Sequence, residues 1–127
     1  MDITHLGVLS DADKLSAIRG SRLLVHPSPF ESLSMALLEA WMMERPALVN
    51  GKCAVLRGQV TRANGGLYYA TPEEFGEALS WMLAHPAESE AMGRAGHGYF
   101  ERNYSWDVIL QKYERLLALA RRDRPAA

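Results

Sequence analysis

Short apolar runs alternate with segments of helical periodicity in the first half of the chain. The runs at 3–8, 22–25, 47–49 and 67–70 are rich in Leu, Val and Ile or Tyr and end at polar or glycine-containing turns, which is typical of strands. Because a helical pattern stands between successive runs, we expect parallel pairing. The pattern predicts an α/β fold whose short parallel sheet has about four strands.

Capping residues mark the helices between these runs. Ser10 precedes an acidic first turn and Gly20 stops the first helix, as expected for an N-cap and a C-terminal stop. A second helix is predicted from about 33 to 43 and a brief one from 55 to 62.

From Thr71 onward the pattern is helical only. Thr71, Pro72 and Glu74 form a capping box, and three helices are predicted over about 72–122, with residues 124–127 frayed. The last helix places one set of apolar residues on one side: Trp106, Ile109, Leu110, Tyr113, Leu116, Leu117 and Ala120. The apolar stripes assign all three tryptophans, Trp41, Trp81 and Trp106, to core packing. We treat 1–127 as a single domain.

The composition fits one soluble globular domain. The 127 residues are 48% hydrophobic and 23% charged, and the net charge of -1 gives no field that would hold a nucleic acid or an anionic membrane. Cys53 is the only cysteine, so no disulfide forms within the chain and a cytoplasmic location is expected. No apolar run reaches the roughly 18 residues of a membrane span, and no histidine has metal-ligand spacing, so we expect no metal.

The segment 35–43 is apolar on every face except for Glu39. Burying a neutral polar group without a hydrogen-bond partner costs about 2–7 kcal/mol, and burying an ionised carboxylate costs more. Glu39 therefore needs a partner or access to solvent. Three arrangements satisfy this requirement: a salt bridge to an arginine such as Arg22 or Arg45, an exposed notch, or a cleft in which Glu39 faces a ligand.

Glu31 lies eight residues before Glu39, about 12 Å of helical rise, which is the scale of a nucleotide sugar. Each carboxylate can accept hydrogen bonds from two adjacent hydroxyls. The free N–H groups of residues 32–35 at the helix start form a site for a diphosphate between them. In open parallel sheets such ligands bind outside the carboxyl ends of strands, where this loop lies.

The stretch VHPSPFESLSMALLEA, residues 25–40, resembles the Glu-x7-Glu segment of family 4 glycosyltransferases, the "glycosyl transferases group 1" type with the GT-B fold. The resemblance continues through RPALVN, NGGLYY, MGRAG and YSWD and covers nearly the whole chain. It implies a Rossmann-like, three-layer α/β/α architecture. The chain is thus identified as the C-terminal half of a GT-B donor domain with its C-terminal helices.

The resemblance also implies roles for individual residues. Glu31 would contact and position the donor sugar, and Glu39 would hold the ribose. The diphosphate would be held by the donor-binding segment between them, through the backbone of Leu33, Ser34 and Met35 and next to Ser32. His26, Pro27 and Cys53 are candidates for a donor-site loop. Ser32 and Ser34 stand where many relatives have glycine, so they either restrict the approach of the phosphate or add a contact.

The predicted function is donor nucleotide-diphospho-sugar binding in a retaining, metal-independent and cofactor-free hexosyltransferase. An N-terminal acceptor domain and the first half of the donor domain are expected elsewhere in the enzyme. Any contact of the complete enzyme with the inner membrane is expected to be peripheral. The chain alone should then be inactive and prone to dimerise. The family's basic clamp would lie upstream, so its role is not assigned to Lys14, Arg19 or Lys52.

Two alternatives stay open: a non-catalytic scaffold domain with a GT-B half-fold, and another GT-B nucleotide-sugar enzyme such as an epimerase or phosphorylase. A receiver-type regulatory domain fails, because it needs an aspartate where Asn50 stands.

Overall fold

The computed structural model of the protein describes residues 2–122, so the predicted frayed end at 124–127 lies outside the described part. Three strands and six helices follow one another along these residues. Their bounds are α1 (Asp11–Gly20), β1 (Leu24–His26), α2 (Met35–Met42), β2 (Ala47–Asn50), α3 (Ala54–Ala63), β3 (Gly66–Tyr69), α4 (Pro72–Ala84), α5 (Pro86–Tyr104) and α6 (Trp106–Arg122).

The three strands form one parallel sheet in the order β1-β2-β3. Leu24 of β1 lies opposite Ala47 of β2, which lies opposite Gly66 of β3. Each pair of neighbouring strands is connected by one helix, as parallel pairing requires. The predicted Rossmann-like α/β class is confirmed.

The predicted strand at 3–8 is wrong. Residues 3–8 have no strand structure and are exposed, with Ile3 90% accessible. A strand is held by the backbone hydrogen bonds of a neighbour and by packing on one face, and within residues 2–122 this segment has neither. The sheet therefore has three strands instead of about four.

The central strand β2 is buried on both faces. Ala47 and Val49 pack in the main core, while Leu48, which points to the other face, is also fully buried. Helices α2 and α3 supply the rest of that core, and α4 contacts β2 and β3. The buried members of the main core are Leu37, Leu38, Trp41, Ala47, Val49, Cys53, Leu56, Val60 and Ala63.

Trp41 is the largest side chain in this core and is fully buried. Its indole Nε1 donates a hydrogen bond to the Gly65 carbonyl at 2.9 Å, and its ring packs edge-on against Tyr99 with centroids 5.8 Å apart. A Cβ atom at Gly96 would overlap the Trp41 ring. Helix α5 can therefore approach α2 closely only because residue 96 has no side chain.

The prediction that all three tryptophans pack in the core holds for Trp41 and is wrong for Trp81 and Trp106. Trp81 is 38% exposed and stacks on His85, and Trp106 is 78% exposed. Every residue of α6 from Leu110 onward is exposed. The apolar side of α6 is therefore not packed in the core of the described residues.

Candidate functional site

The carboxyl ends of the three strands meet at one edge of the sheet, as they must in a parallel sheet. The strands end at His26, Asn50 and Tyr69. Ligands of open parallel sheets bind outside this edge, where the loops can be shaped without disturbing the core. The loops that follow β1 and β2 contain most of the residues that the sequence singled out.

Asn50 connects these two loops. Its side-chain Nδ2 donates to the Pro27 carbonyl at 3.0 Å, and its Oδ1 accepts from the Lys52 backbone N–H, also at 3.0 Å. Ser28 closes a local turn, because its hydroxyl donates to the Phe30 carbonyl at 2.8 Å. The loop after β1 is thus fixed at its first residue and shaped by its own side chains.

Glu31 contacts the imidazole of His26. Glu31 Oε1 lies 3.3 Å from His26 Nε2, and the two side chains are 27% and 14% exposed. His26 is the last residue of β1, so the sheet supports the imidazole, and the imidazole in turn limits the rotamers of Glu31. The structure therefore joins two residues that the sequence had proposed separately.

Helix α2 begins at Met35 because Ser34 caps it. Ser34 is buried, and its hydroxyl accepts a hydrogen bond from Leu37 N at 3.1 Å, as an N-cap residue does. Since helix covers only the second half of the interval from Glu31 to Glu39, the 12 Å estimate, which assumed helix throughout, does not apply. Ser32, Leu33 and Met35 are exposed.

Glu39 is paired with Lys14 of α1. Lys14 Nζ lies 2.8 Å from Glu39 Oε1 and 3.3 Å from Asp11 Oδ1. The Glu39 hydrogen bond, with a smaller contribution from Asp11, raises the pKa of Lys14 above its ordinary value of 10.5. Of the arrangements left open for Glu39, a salt bridge is present, but its cation is Lys14 and neither Arg22 nor Arg45.

The two carboxylates open into different clefts. Glu31 and Ser32 line a cleft of about 680 Å³ opposite Lys52 and Cys53. Glu39 lines a second cleft of about 340 Å³ between α2, the end of α5 and the start of α6. The second cleft is mostly apolar, and its other lining residues are Leu33, Met35, Leu38, Met42, Phe100, Tyr104, Trp106 and Ile109.

Pro27 and Lys52 also line a third cleft, of about 380 Å³, which reaches the end of β3 at Tyr69. All three volumes are in or near the range of small-molecule sites, roughly 300–1,000 Å³. Cys53, predicted as part of a donor-site loop, is 3% exposed and precedes α3 without capping it.

Sequence reasoning missed Lys14 and Asn50 as organising residues. Asn50 had been weighed only against a receiver domain, although its place directly after a buried strand was a usable signal. Within residues 2–122, no group of three or more His, Cys, Asp or Glu is arranged to hold a metal ion. No helix of this part is both long and apolar enough to cross a bilayer.

Residues 2–99 match the family described as Glycosyl transferases group 1. The match covers most of the chain and all elements from α1 to most of α5, so the protein belongs to this family. The resemblance read from the Glu-x7-Glu segment is confirmed at this level.

The chain is similar to several curated proteins, among them three from different organisms. It is 28% identical to glycosyltransferase 1 domain-containing protein 1 of Xenopus tropicalis, over 86% of this chain and 31% of that protein. It is 27% identical to an alpha-1,3/1,6-mannosyltransferase of Mus musculus, over 84% and 26%. It is 25% identical to a D-rhamnosyltransferase of Pseudomonas aeruginosa, over 82% and 28%. The chain thus spans under a third of each relative's length, and no solved structure matches it.

Proposed function

We propose that the chain is the donor-binding part of a retaining family 4 glycosyltransferase of the GT-B fold, and that it holds a nucleotide-diphospho-sugar. The observation that carries the proposal is that Glu31 lies in the loop before α2 and Glu39 lies within α2, so the two carboxylates flank along the chain the helix start that follows the carboxyl end of β1. The proposed reaction is transfer of a hexosyl group. The names of two relatives, a mannosyltransferase and a D-rhamnosyltransferase, favour sugars of that size.

In this proposal the sugar lies in the cleft between Glu31 and Lys52. Glu31 accepts hydrogen bonds from two adjacent hydroxyls, which an ionised carboxylate can do with its two oxygens. The 3.3 Å contact with His26 Nε2 supports this role, because it holds the carboxylate in one orientation before the sugar arrives. Fixing Glu31 in advance lowers the entropy lost on binding.

The diphosphate lies at the start of α2. The first N–H groups of a helix have no intrahelical partner, and the helix dipole adds positive potential there. The Ser34 hydroxyl accepts from Leu37 N and so caps the helix, while Leu33 and Met35 on either side of it are exposed. Stabilising the diphosphate as the sugar leaves is the catalytic contribution that this part of the enzyme would make.

The ribose contacts Glu39. Lys14 bonds one carboxylate oxygen, Oε1, and the other oxygen is left to accept from a ribose hydroxyl. With a side-chain exposure of 23%, Glu39 is reachable from the second cleft. Lys14 thereby orients Glu39 without closing the site.

Titration calorimetry of the chain tests the proposal with UDP, GDP and ADP and with the matching nucleotide sugars. Glu39→Gln should abolish binding of both forms, because an amide accepts fewer hydrogen bonds than a carboxylate. Glu31→Gln should weaken only the nucleotide sugar. Glu77→Gln, at an exposed position of α4, is the matched control and should bind as the unchanged chain does.

The alternatives predict different outcomes. A scaffold domain that has lost its ligand would bind none of the nucleotides, and this result contradicts the proposal. Equal losses in Glu31→Gln for the nucleotide and the nucleotide sugar would contradict the assignment of the sugar to Glu31. An epimerase or phosphorylase would bind the donor in the same way, and product analysis of the complete enzyme separates these from a transferase.

A further inference from the structure

The loop after β2 is held by hydrogen bonds of its own backbone. Gly51 N donates to the Tyr69 carbonyl at 2.7 Å, and Cys53 N donates to the Asn50 carbonyl at 3.2 Å. Between them, Lys52 N donates to the side-chain Oδ1 of Asn50 at 3.0 Å. Because these three N–H groups are bonded within the protein, the loop meets a ligand with side chains, of which Lys52 and Cys53 line the cleft of about 680 Å³.

A proline ends the backbone pairing between β1 and β2. The last residues that lie opposite each other are His26 and Val49, so the next step of the register sets Pro27 opposite Asn50. Proline has no N–H group and cannot donate to a neighbouring strand. The Asn50 side chain supplies a donor at this step, because its Nδ2 donates to the Pro27 carbonyl at 3.0 Å. This hydrogen bond extends the connection between the strands into the loops that follow them.

Asn50 thereby connects the two sides of the cleft that contains Glu31 and Lys52. On one side, Glu31 Oε1 lies 3.3 Å from Nε2 of His26, and the next residue, Pro27, is the one to which Asn50 donates. On the other side, the backbone of Lys52 donates to the same Asn50 side chain. Since a carboxamide is planar and rigid, Nδ2 and Oδ1 hold the two loops at a fixed separation.

We infer that Asn50 is a positioning residue for the donor sugar, and that its carboxamide sets the separation between the Glu31 side and the Lys52 side of the cleft. The inference rests on the proposed function, in which the sugar lies in this cleft. Asn50 is not among the residues that line the cleft, so it acts through the two loops. A cleft that has its final width before the sugar arrives loses less entropy on binding.

The two hydrogen bonds of the Asn50 side chain can be removed separately. Asn50→Ser leaves a hydroxyl that can accept from Lys52 N, as serine does in turns of this kind. This hydroxyl lies too close to Cβ to reach the Pro27 carbonyl. Asn50→Ala removes both hydrogen bonds. Neither variant changes the charge of the site, so neither alters the attraction of a diphosphate.

Titration calorimetry of the chain tests the inference with UDP and UDP-glucose, GDP and GDP-mannose, and ADP and ADP-glucose. For the pair that binds, both Asn50→Ser and Asn50→Ala should raise the dissociation constant of the nucleotide sugar about fivefold. The dissociation constant of the free nucleotide should not change, because the nucleotide does not occupy the sugar cleft. A general disturbance of the fold would weaken both ligands alike.

Ser21→Ala is the matched control. The Ser21 hydroxyl donates to the Ile18 carbonyl at 2.8 Å, so this variant also loses a hydrogen bond from a side chain to a backbone carbonyl. Ser21 precedes β1 and therefore lies at the amino edge of the sheet, opposite the edge with the cleft. Both dissociation constants should stay unchanged in Ser21→Ala.

Backbone hydrogen exchange measured by NMR tests the connection between the loops without a ligand. Phe30 N donates to Ser28 Oγ in the loop after β1, and its N–H should lose protection in both Asn50 variants, because that loop is released. The Lys52 N–H should lose protection in Asn50→Ala and keep it in Asn50→Ser, where the hydroxyl still accepts from it.

Four results overturn the inference. The first is equal weakening of nucleotide and nucleotide sugar, and the second is normal nucleotide-sugar binding by both variants. The third is normal binding by Asn50→Ser alone, which would assign the effect to the turn at Lys52 instead of the bond to Pro27. The fourth is unchanged exchange at Phe30. An unchanged chain that binds no nucleotide at all contradicts the proposed function and the sugar-positioning role with it, whereas normal nucleotide binding with any of the four results contradicts the role of Asn50 alone.

Discussion

Helices α2 and α6 both contain many apolar residues, on nearly every face of α2 and on one side of α6, but they have opposite surroundings. Four of the eight residues of α2 are buried, Leu37, Leu38, Ala40 and Trp41, whereas no residue of the seventeen-residue α6 is buried in the described part of the chain. Their positions in the chain explain the difference. Helix α2 connects β1 to β2, and a crossover between parallel strands must pack on the sheet. Helix α6 follows the last strand, so no such connection brings it back.

The comparison shows what apolar periodicity can and cannot predict. It predicts that the apolar residues of a helix favour being covered, on nearly every face of α2 and on one side of α6. The covering element is set by the connections between strands, which place α2 on the sheet and do not constrain α6. Sequence-based core assignments are therefore safest for helices that lie between two strands.

The largest expected difference between the two helices is at their tryptophans. Trp41→Ala removes a fully buried ring and its hydrogen bond to Gly65, and the free energy of unfolding should fall by about 3–5 kcal/mol. Trp106→Ala should change it by less than about 0.5 kcal/mol. Urea unfolding of dilute samples measures both values, and equal losses would contradict the assignment of α6 to the exposed surface.

The next effect is at the contact between α5 and α2. Gly96→Ala places a methyl group against the Trp41 ring and should destabilise the fold by about 1–3 kcal/mol through overpacking. Gly76→Ala in α4 is the matched control. An added Cβ meets no atom within 4 Å there, so alanine's helix propensity should stabilise the protein by about 0.5–1 kcal/mol. Thermal unfolding distinguishes the two signs.

A smaller effect is expected at the cap of α2. Ser34→Ala removes the acceptor of Leu37 N in a buried position, and the free energy of unfolding should fall by about 1–2 kcal/mol. Thr71→Ala, which removes the equivalent hydrogen bond to Glu74 N at an exposed cap, should cost less. If the two losses are equal in urea unfolding, burial of the cap contributes nothing.

The smallest effect concerns the Lys14–Glu39 pair, which connects α1 to α2. The pKa of Lys14 is raised in the folded state, so this side chain binds its proton more tightly when the protein is folded. The resulting stabilisation is complete below the ordinary pKa of 10.5 and is lost as the pH rises through the folded-state value. The unfolding midpoints of the unchanged chain and Lys14→Met should therefore differ slightly at neutral pH and converge in strong alkali.

Residues close together in sequence were the ones that the sequence predicted well. The Ser10 and Thr71 side chains each accept a hydrogen bond from the N–H group three residues later. The local sequence is therefore sufficient to predict these two helix caps. The parallel pairing of β1 and β2 followed from the helical segment between them. The motif from Glu31 to Glu39 was visible for the same reason.

Contacts between distant residues were the ones that it missed. Lys14 and Glu39 are 25 residues apart, and the sequence offered two arginines as equally good partners. The segment 3–8 has the composition of a strand, but composition does not specify a neighbour. Which cleft each carboxylate enters likewise depends on how α2, α5 and the loop after β2 pack together.

The order of the strands in space is also their order along the chain. Among these three strands β1 is synthesised first, β2 can pair with it as soon as α2 has formed between them, and β3 pairs with β2 afterwards. None of the three has to be inserted between two others that were made earlier. These three strands can therefore pair in order while the ribosome is still translating the helices that follow β3.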